Sequence, residues 1–226
     1  MRVTAAGPRA GRFVVVEGLD GVGKSTVARE LACALGALHL ATPDDELREA
    51  RRLLEPLLDG HANARMLWYA ATVMRVSDRV RAARAAGRAI VVDRYILSTL
   101  VYGELRGADL QLADVVARLV VPDATIYLHA TRACRAARLQ GRQDNSCEDA
   151  RTLVEEADVR LDAAYRRHGA RPLAGRFIPI DTTNRSPAAV VAVATAELVR
   201  LGRAAAARTL RALRSADAAS APRRAF

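Results

Sequence analysis

The sequence predicts an α/β fold, a parallel sheet of about five strands with helices on both faces. Short apolar runs rich in β-branched residues recur along the chain: RFVVVEG at 12–18, AIVVD at 89–93, ATIYLHA at 124–130. Each is apolar at nearly every position rather than at alternate ones, so both faces of the strand must be covered. Segments with apolar residues at helical spacing lie between these runs, the alternation that builds a parallel sheet with helical crossovers. A chain of 226 residues, 51% of them apolar, is long enough to bury one sizeable core.

The elements follow in order. After the first strand, 25–36 carries a helical pattern closed by Gly36, and ALHLA at 37–41 reads as a second strand. TPDD at 42–45 reads as a helix entry with Pro43 in the first turn, leading into ELREARRLLEPLL, bent at Pro56. DGHAN is a loop, and 63–86 is a long amphipathic helix. Beyond the strand at 89–93, the segments 95–105 and 110–120 are helical, with Pro122 ending the second. An Arg-rich helix at 131–140 follows the strand at 124–130. A polar loop comes next at 141–149, then a helix of about 20 residues reaching His168. RFIPID at 176–181 is the last strand, and 186–202 is an amphipathic helix that the tail at 203–226 extends. This gives a flexible N-terminus at 1–11, one domain at 12–202 and a basic Ala/Arg-rich tail whose last dozen residues are disordered by composition.

Composition narrows the class. No run approaches the roughly 18–20 apolar residues of a membrane span, and the N-terminus has no apolar signal region. Cys33, Cys134 and Cys147 are odd in number and lack metal-ligand spacing, which fits a reduced, cytoplasmic setting. The net charge of +10 invites a nucleic-acid reading, but aromatics are only 4% and the arginines are spread along helical faces. That argues against a nucleic-acid partner and for a small anionic one. Of the 35 basic Lys and Arg residues, Lys24 is the only lysine. A position that keeps lysine in such a chain is one where a compact ammonium on a flexible stem fits and the guanidinium fork does not.

Lys24 lies in GLDGVGKST at 18–26, which has the spacing G-x4-G-K-[ST]. A strand precedes it and a helix follows, the context that gives this phosphate-binding loop its meaning. Gly18, Gly21, Val22, Gly23, Lys24, Ser25 and Thr26 are therefore the candidate cradle for ATP phosphates. Lys24 is placed to reach the β- and γ-phosphates, and Ser25 to hold Mg2+ through its hydroxyl. The fold is then a P-loop kinase three-layer sandwich. At the end of the strand at 89–92 stand Asp93 and Arg94, on the sheet edge that faces the ligand crevice. Asp93 is the second metal-side candidate, and Arg94 a candidate for an anionic group.

EGLDGVGKST followed by DRYILSTLVYGELRG resembles the thymidylate kinase family, in which E-G-x-D-x-x-G-K-[ST] is followed by D-R-[YFH] and S-x-x-A-Y. Ser98, Thr99, Tyr102, PDATIYL at 122–128 and IDTTNRS at 180–186 continue the resemblance over roughly 12–202. It implies ATP- and Mg2+-dependent phosphoryl transfer to a nucleoside monophosphate, dTMP by default, and a homodimer. It also implies that Asp20 lies near the acceptor sugar, that Arg94 holds the acceptor phosphate, and that Tyr95 and Tyr102 line the acceptor pocket. Asn184 falls in the adenine-side loop. Because Gly21 occupies the slot where some relatives carry a basic residue, the resemblance moves the transition-state arginine to a lid near 138–148, with Arg138 and Arg142 as candidates.

Three departures concern the acceptor. The arginine that follows the second strand in the family is missing, and Asp44 and Asp45 stand beside Pro43. In LWYAATVMR, Trp68 keeps the aromatic surface, but Thr72 occupies the place of the base-reading arginine, with Arg75 one turn on as a substitute. His129 replaces the strand-end aspartate. These leave open a kinase for another acceptor, a nucleoside or specialised metabolite whose hydroxyls or amine the paired carboxylates would grip. An NTP-binding regulatory protein without acceptor turnover is the remaining alternative.

Overall fold

The computed structural model describes residues 11–140 and 152–219, with side chains through Arg203 and only in part beyond. Five strands form one sheet in the order β2-β3-β1-β4-β5, all parallel: β1 (Phe13–Gly18), β2 (Leu38–Ala41), β3 (Ile90–Asp93), β4 (Ala124–His129) and β5 (Arg176–Asp181). The five-stranded parallel expectation holds. β1 is central and buried at every residue, as its unbroken apolar run requires.

Around the sheet lie α1 (Lys24–Ala34), α2 (Arg48–Leu57), α3 (Ala62–Ala85), α4 (Ile96–Leu105), α5 (Ala113–Arg118), α6 (Arg132–Gln140), α7 (Glu155–Gly169) and α8 (Pro187–Ala219). α1 packs against α8 on one face, while α4 packs against α3 and α7 on the other. α3 buries Met66, Ala70, Val73, Val76 and Val80, the i, i+4, i+7 spacing of a core-facing stripe.

Some boundaries differ from the sequence expectation. Pro43 is not in a helix: the Thr42–Pro43 bond is cis, Asp44 is extended, and a short turn at Asp45–Leu47 precedes α2. Pro56 is the penultimate residue of α2, so the N–H it lacks belongs to the last turn and the helix ends one residue later. Helix α5 covers only six residues of the 110–120 segment, because Leu119 turns to extended backbone before Pro122. α7 is 15 residues rather than about 20. Helix α8 continues to Ala219, so the helical part of the tail reaches into the dozen residues expected to be disordered. The loop at 141–149 with Arg142 and Cys147, and all but the last residue of the 1–11 segment, lie outside the described residues.

Candidate active site

The carboxyl ends of β1 and β3 lie side by side, with Val16 paired to Asp93. The chain leaves β1 through the phosphate loop into α1 and leaves β3 through Arg94 into α4. The loop can turn because of its glycines. Gly18 has φ +145°, and a Cβ there would lie 2.2 Å from the carbonyl of Leu128. Gly21 has φ +83°, and a Cβ there would lie 2.8 Å from the carbonyl of Arg135. An arginine at position 21 is thus excluded by both strain and space. Gly23 directly precedes α1, so the loop's N–H groups and the positive end of an 11-residue helix converge on one region. Ser25 and Thr26 face solvent there.

Lys24 is 6% exposed. Its ammonium donates to the Leu19 carbonyl at 2.6 Å and to Asp20 Oδ1 at 3.4 Å. Burial lowers its pKa to about 8, with the Arg94 charge adding to the fall while Asp20, Asp93 and Glu17 oppose it. Asp20 is the hub of the site. Its Oδ1 also takes a hydrogen bond from the Arg94 guanidinium, and its Oδ2 accepts from the Tyr102 hydroxyl at 2.8 Å. Burial alone would raise the Asp20 pKa, but Arg94 and then Lys24 outweigh it and hold the carboxyl well below the usual range. Burial followed by the Asp20 charge pushes the Tyr102 phenol well up. One carboxylate therefore joins the lysine of the loop to the arginine after β3.

Arg94 is the one described non-glycine residue with positive φ, +64°. Such strain persists only where surroundings fix it. Here the Arg94 N–H donates to Val16 O at 3.0 Å, and Glu17 secures the next turn. Glu17 is fully buried. Its Oε1 accepts from Tyr95 N at 2.8 Å and Ser98 N at 3.2 Å, and its Oε2 from Ser98 Oγ at 2.6 Å. It caps the first turn of α4, satisfying N–H groups that have no partner within the helix. Burial raises its pKa against the opposing hydrogen bonds of Ser98 and Tyr95.

Asp93 is 7% exposed, and its Oδ1 has no protein partner. Among the described residues no group of three His, Cys, Asp or Glu side chains could hold a metal alone. An orphaned carboxylate oxygen at a strand end beside the loop, with the exposed hydroxyl of Ser25, fits Mg2+ in its usual form: few protein ligands, with water and phosphate completing the shell.

Arg138, on α6, donates to Thr182 O at 2.6 Å and to Thr182 Oγ1 at 3.0 Å, with the Gly21 and Val22 carbonyls 3.5 Å away. It thus bridges the loop to the turn after β5, where Asn184 is exposed. A cavity of about 240 Å³ on the α7 side meets the loop only at Leu19 and Val22. Asp158, Asp162 and Asp181 line it together with Arg135 and Arg166, which pair with Asp158 and Asp162.

Three acceptor-side candidates are engaged within the protein. Tyr95 is core: it is 2% exposed, packs edge-on against Phe13 at 5.4 Å and donates to the Val120 carbonyl. Consecutive side chains diverge at the strand end, so Arg94 takes the cleft and Tyr95 the interior. Thr72 is 1% exposed, and its hydroxyl donates back to Tyr69 O within α3, so it offers no donor to a base. Arg75, the expected substitute for the base-reading arginine, is paired with acids of another element. It pairs with Asp44, 2.8 Å from Nε to Oδ2, and with Glu46, while Arg79 reaches the same Asp44 oxygen at 3.1 Å. Burial works to raise the Asp44 pKa, but the Arg75 and Arg79 contacts prevail and lower it. Trp68 is half-buried, and its indole N–H is enclosed without a partner.

Sequence reasoning missed Glu17, Arg135 and Tyr165. Glu17 carried a signal, as an acid at the end of an otherwise apolar strand. Arg135 was one arginine among many. Tyr165, which meets Ser98 Oγ at 3.0 Å, sits in an ordinary helical pattern.

Comparison with known proteins matches the family model described as thymidylate kinase to residues 16–184. A thymidylate kinase of Photobacterium profundum is 34% identical over 150 residues, 58% of this chain and 71% of that protein. One from Synechococcus sp. WH7803 is 35% identical over 159 residues, 61% of this chain and 75% of that protein. A solved thymidylate kinase from Candida albicans superimposes with a TM-score of 0.64 at 19% identity, covering 86% of this chain and 93% of that one.

Proposed function

Because the chain belongs to the thymidylate kinase family, we propose that it transfers the γ-phosphate of ATP to the 5′-phosphate of dTMP, giving ADP and dTDP. An acceptor phosphate oxygen attacks the γ-phosphorus, and the bond to the β,γ-bridging oxygen breaks as ADP leaves. The acceptor is already a nucleophile, so no strong base is required. Asp20 carries the reading: it holds the Lys24 ammonium and the Arg94 guanidinium against one another across the cleft. When phosphates enter, Lys24 turns to the donor and Arg94 to the acceptor, and the two anions meet between two fixed cations. Transfer is then mostly positioning and charge stabilisation. Ser25 and, through water, Asp93 would hold Mg2+, which would supply neutralisation of donor phosphate charge. Arg138 lies 3.5 Å from the Gly21 and Val22 carbonyls and donates to Thr182 O beside the Asn184 turn, and is assigned to the donor side.

A second reading, a kinase for a nucleoside or another small acceptor, is favoured by one observation. Thr72 and Arg75 are both engaged within the protein, so neither reads a base. An acceptor panel with Mg-ATP separates the two. Turnover of dTMP above other monophosphates and all nucleosides is the expected result. Turnover of a nucleoside with none of any monophosphate overturns the proposal.

The protein is proposed to work as a homodimer. Leu53 and Leu57 on α2 and Leu67 and Met74 on α3 are exposed apolar side chains, between 36% and 72% accessible, and α2 buries no residue. No described helix is long and apolar enough to cross a membrane. The free thiols of Cys33 and Cys134 fit a reducing, cytoplasmic setting.

A further inference from the structure

We propose that Arg135 is a positioning residue for phosphoryl transfer, fixing the backbone of the phosphate loop at Asp20 from behind. The role rests on the nucleotide reading above. Arg135 is 0% exposed and heads the largest fully buried side chains among the described residues. Its guanidinium fork is fully directed. Nε donates to the backbone carbonyl of Asp20 at 2.7 Å, Nη1 pairs with the Asp158 carboxylate, and Nη2 donates to Thr152 O at 3.1 Å and Thr152 Oγ1 at 3.0 Å. Three pieces of chain therefore meet on one side chain: the loop, α6 that carries it, and the segment from Thr152 into α7.

The charge of Arg135 is answered by Asp158, so it does not serve to neutralise phosphate. Its geometric effect falls on the Asp20–Gly21 peptide. In a trans peptide the carbonyl and the following N–H point in opposite directions. Anchoring the Asp20 carbonyl toward Arg135 thus sends the Gly21 N–H away from α6. The same anchor fixes the Cα from which the Asp20 carboxylate reaches Lys24, Arg94 and Tyr102. Gly21 belongs to the same contact, since a Cβ there would meet the Arg135 carbonyl at 2.8 Å. A lysine cannot reproduce this, because one ammonium cannot span the Asp20 carbonyl, Asp158 and Thr152 as a planar fork does.

A purely structural role is separable from this one. Removing a buried arginine alone strands its partner and destabilises, whereas replacing both charges with apolar groups is often neutral. The test measures Mg-ATP affinity by calorimetry and thermal midpoint in parallel, on the full chain and three variants. Arg135→Met is expected to lose both stability and affinity. Arg135→Met/Asp158→Leu is expected to recover the midpoint while its Kd for Mg-ATP stays raised on the order of 10- to 100-fold, the scale of a misplaced site group. Arg135→Lys, which keeps a charge opposite Asp158, is expected to hold a midpoint above that of Arg135→Met and show the same raised Kd. Recovery of Kd together with stability in the double variant, or unchanged affinity in Arg135→Lys, overturns the proposal. Failure of the unaltered chain to bind Mg-ATP overturns the nucleotide reading itself, and the role of Arg135 with it.

Discussion

Lys24 is a buried ammonium whose pKa stands at about 8 before any phosphate arrives. A polyphosphate favours the charged form and raises that value. Above about pH 8 the ligand-free protein carries a largely neutral Lys24, so nucleotide binding must draw in a proton; well below it, the lysine is already charged and none is needed. Calorimetry of Mg-ATP binding in buffers of different ionisation heat is expected to show proton uptake about one unit above pH 8 and little about 1.5 units below it. Apparent affinity should fall as pH rises through this window. Equal proton exchange at both pH values would mean that Lys24 is not where the polyphosphate binds. This residue was legible in the sequence because the loop spacing and the lone lysine both marked it. Tyr95 was not, since a tyrosine beside DR in a strand-to-helix turn faces cleft or core according to a backbone twist that no residue pattern encodes.

At the scale of elements, the turn from β3 into α4 depends on an acid from a different strand. Glu17 reaches across from β1 to hold Tyr95 N, Ser98 N and Ser98 Oγ. It thereby keeps Arg94 at its positive φ. Glu17→Ala leaves these buried donors unmatched and should destabilise by about 2–4 kcal/mol, a few unsatisfied groups' worth. Urea unfolding measures this, and a loss under about 0.5 kcal/mol, the range of an inconsequential surface change, would contradict it. Strands and long helices were legible from periodicity because β1 and β3 are buried on both faces and α3 has one apolar stripe. The boundary at Pro43 was not, because it is set by contacts distant in sequence. Thr42 N, for example, bonds to Asp93 O at 3.0 Å across two strands. The same holds for Arg75, whose partners Asp44 and Glu46 lie on another element.

In the whole molecule, β1 places the loop at the centre of the sheet, with β3 leading to Arg94 on one side and β4 leading to α6 on the other. The exposed leucines of α2 and α3 belong to this scale. Leu57→Arg with Leu67→Arg is expected to convert a dimer to a monomer in light scattering without changing the thermal midpoint of the protomer greatly. A chain that is already monomeric at micromolar concentration would refute the homodimer. The parallel sheet covered by helices was readable from the alternation of elements, whereas its strand order β2-β3-β1-β4-β5 was not. The acceptor side was readable only as a set of departures, since Thr72, Arg75 and Asp44 reveal their engagement within the protein only once α3 and the turn after β2 are packed together. The central claim is that phosphate passes from ATP, on the Lys24 side of Asp20, to an acceptor phosphate on the Arg94 side. Phosphorus NMR of the protein with Mg-ATP and dTMP, and separately with thymidine, tests it most directly. Equal amounts of dTDP and ADP from dTMP, with no phosphorylation of thymidine, are predicted; dTMP formed from thymidine while added dTMP stays untouched would contradict it.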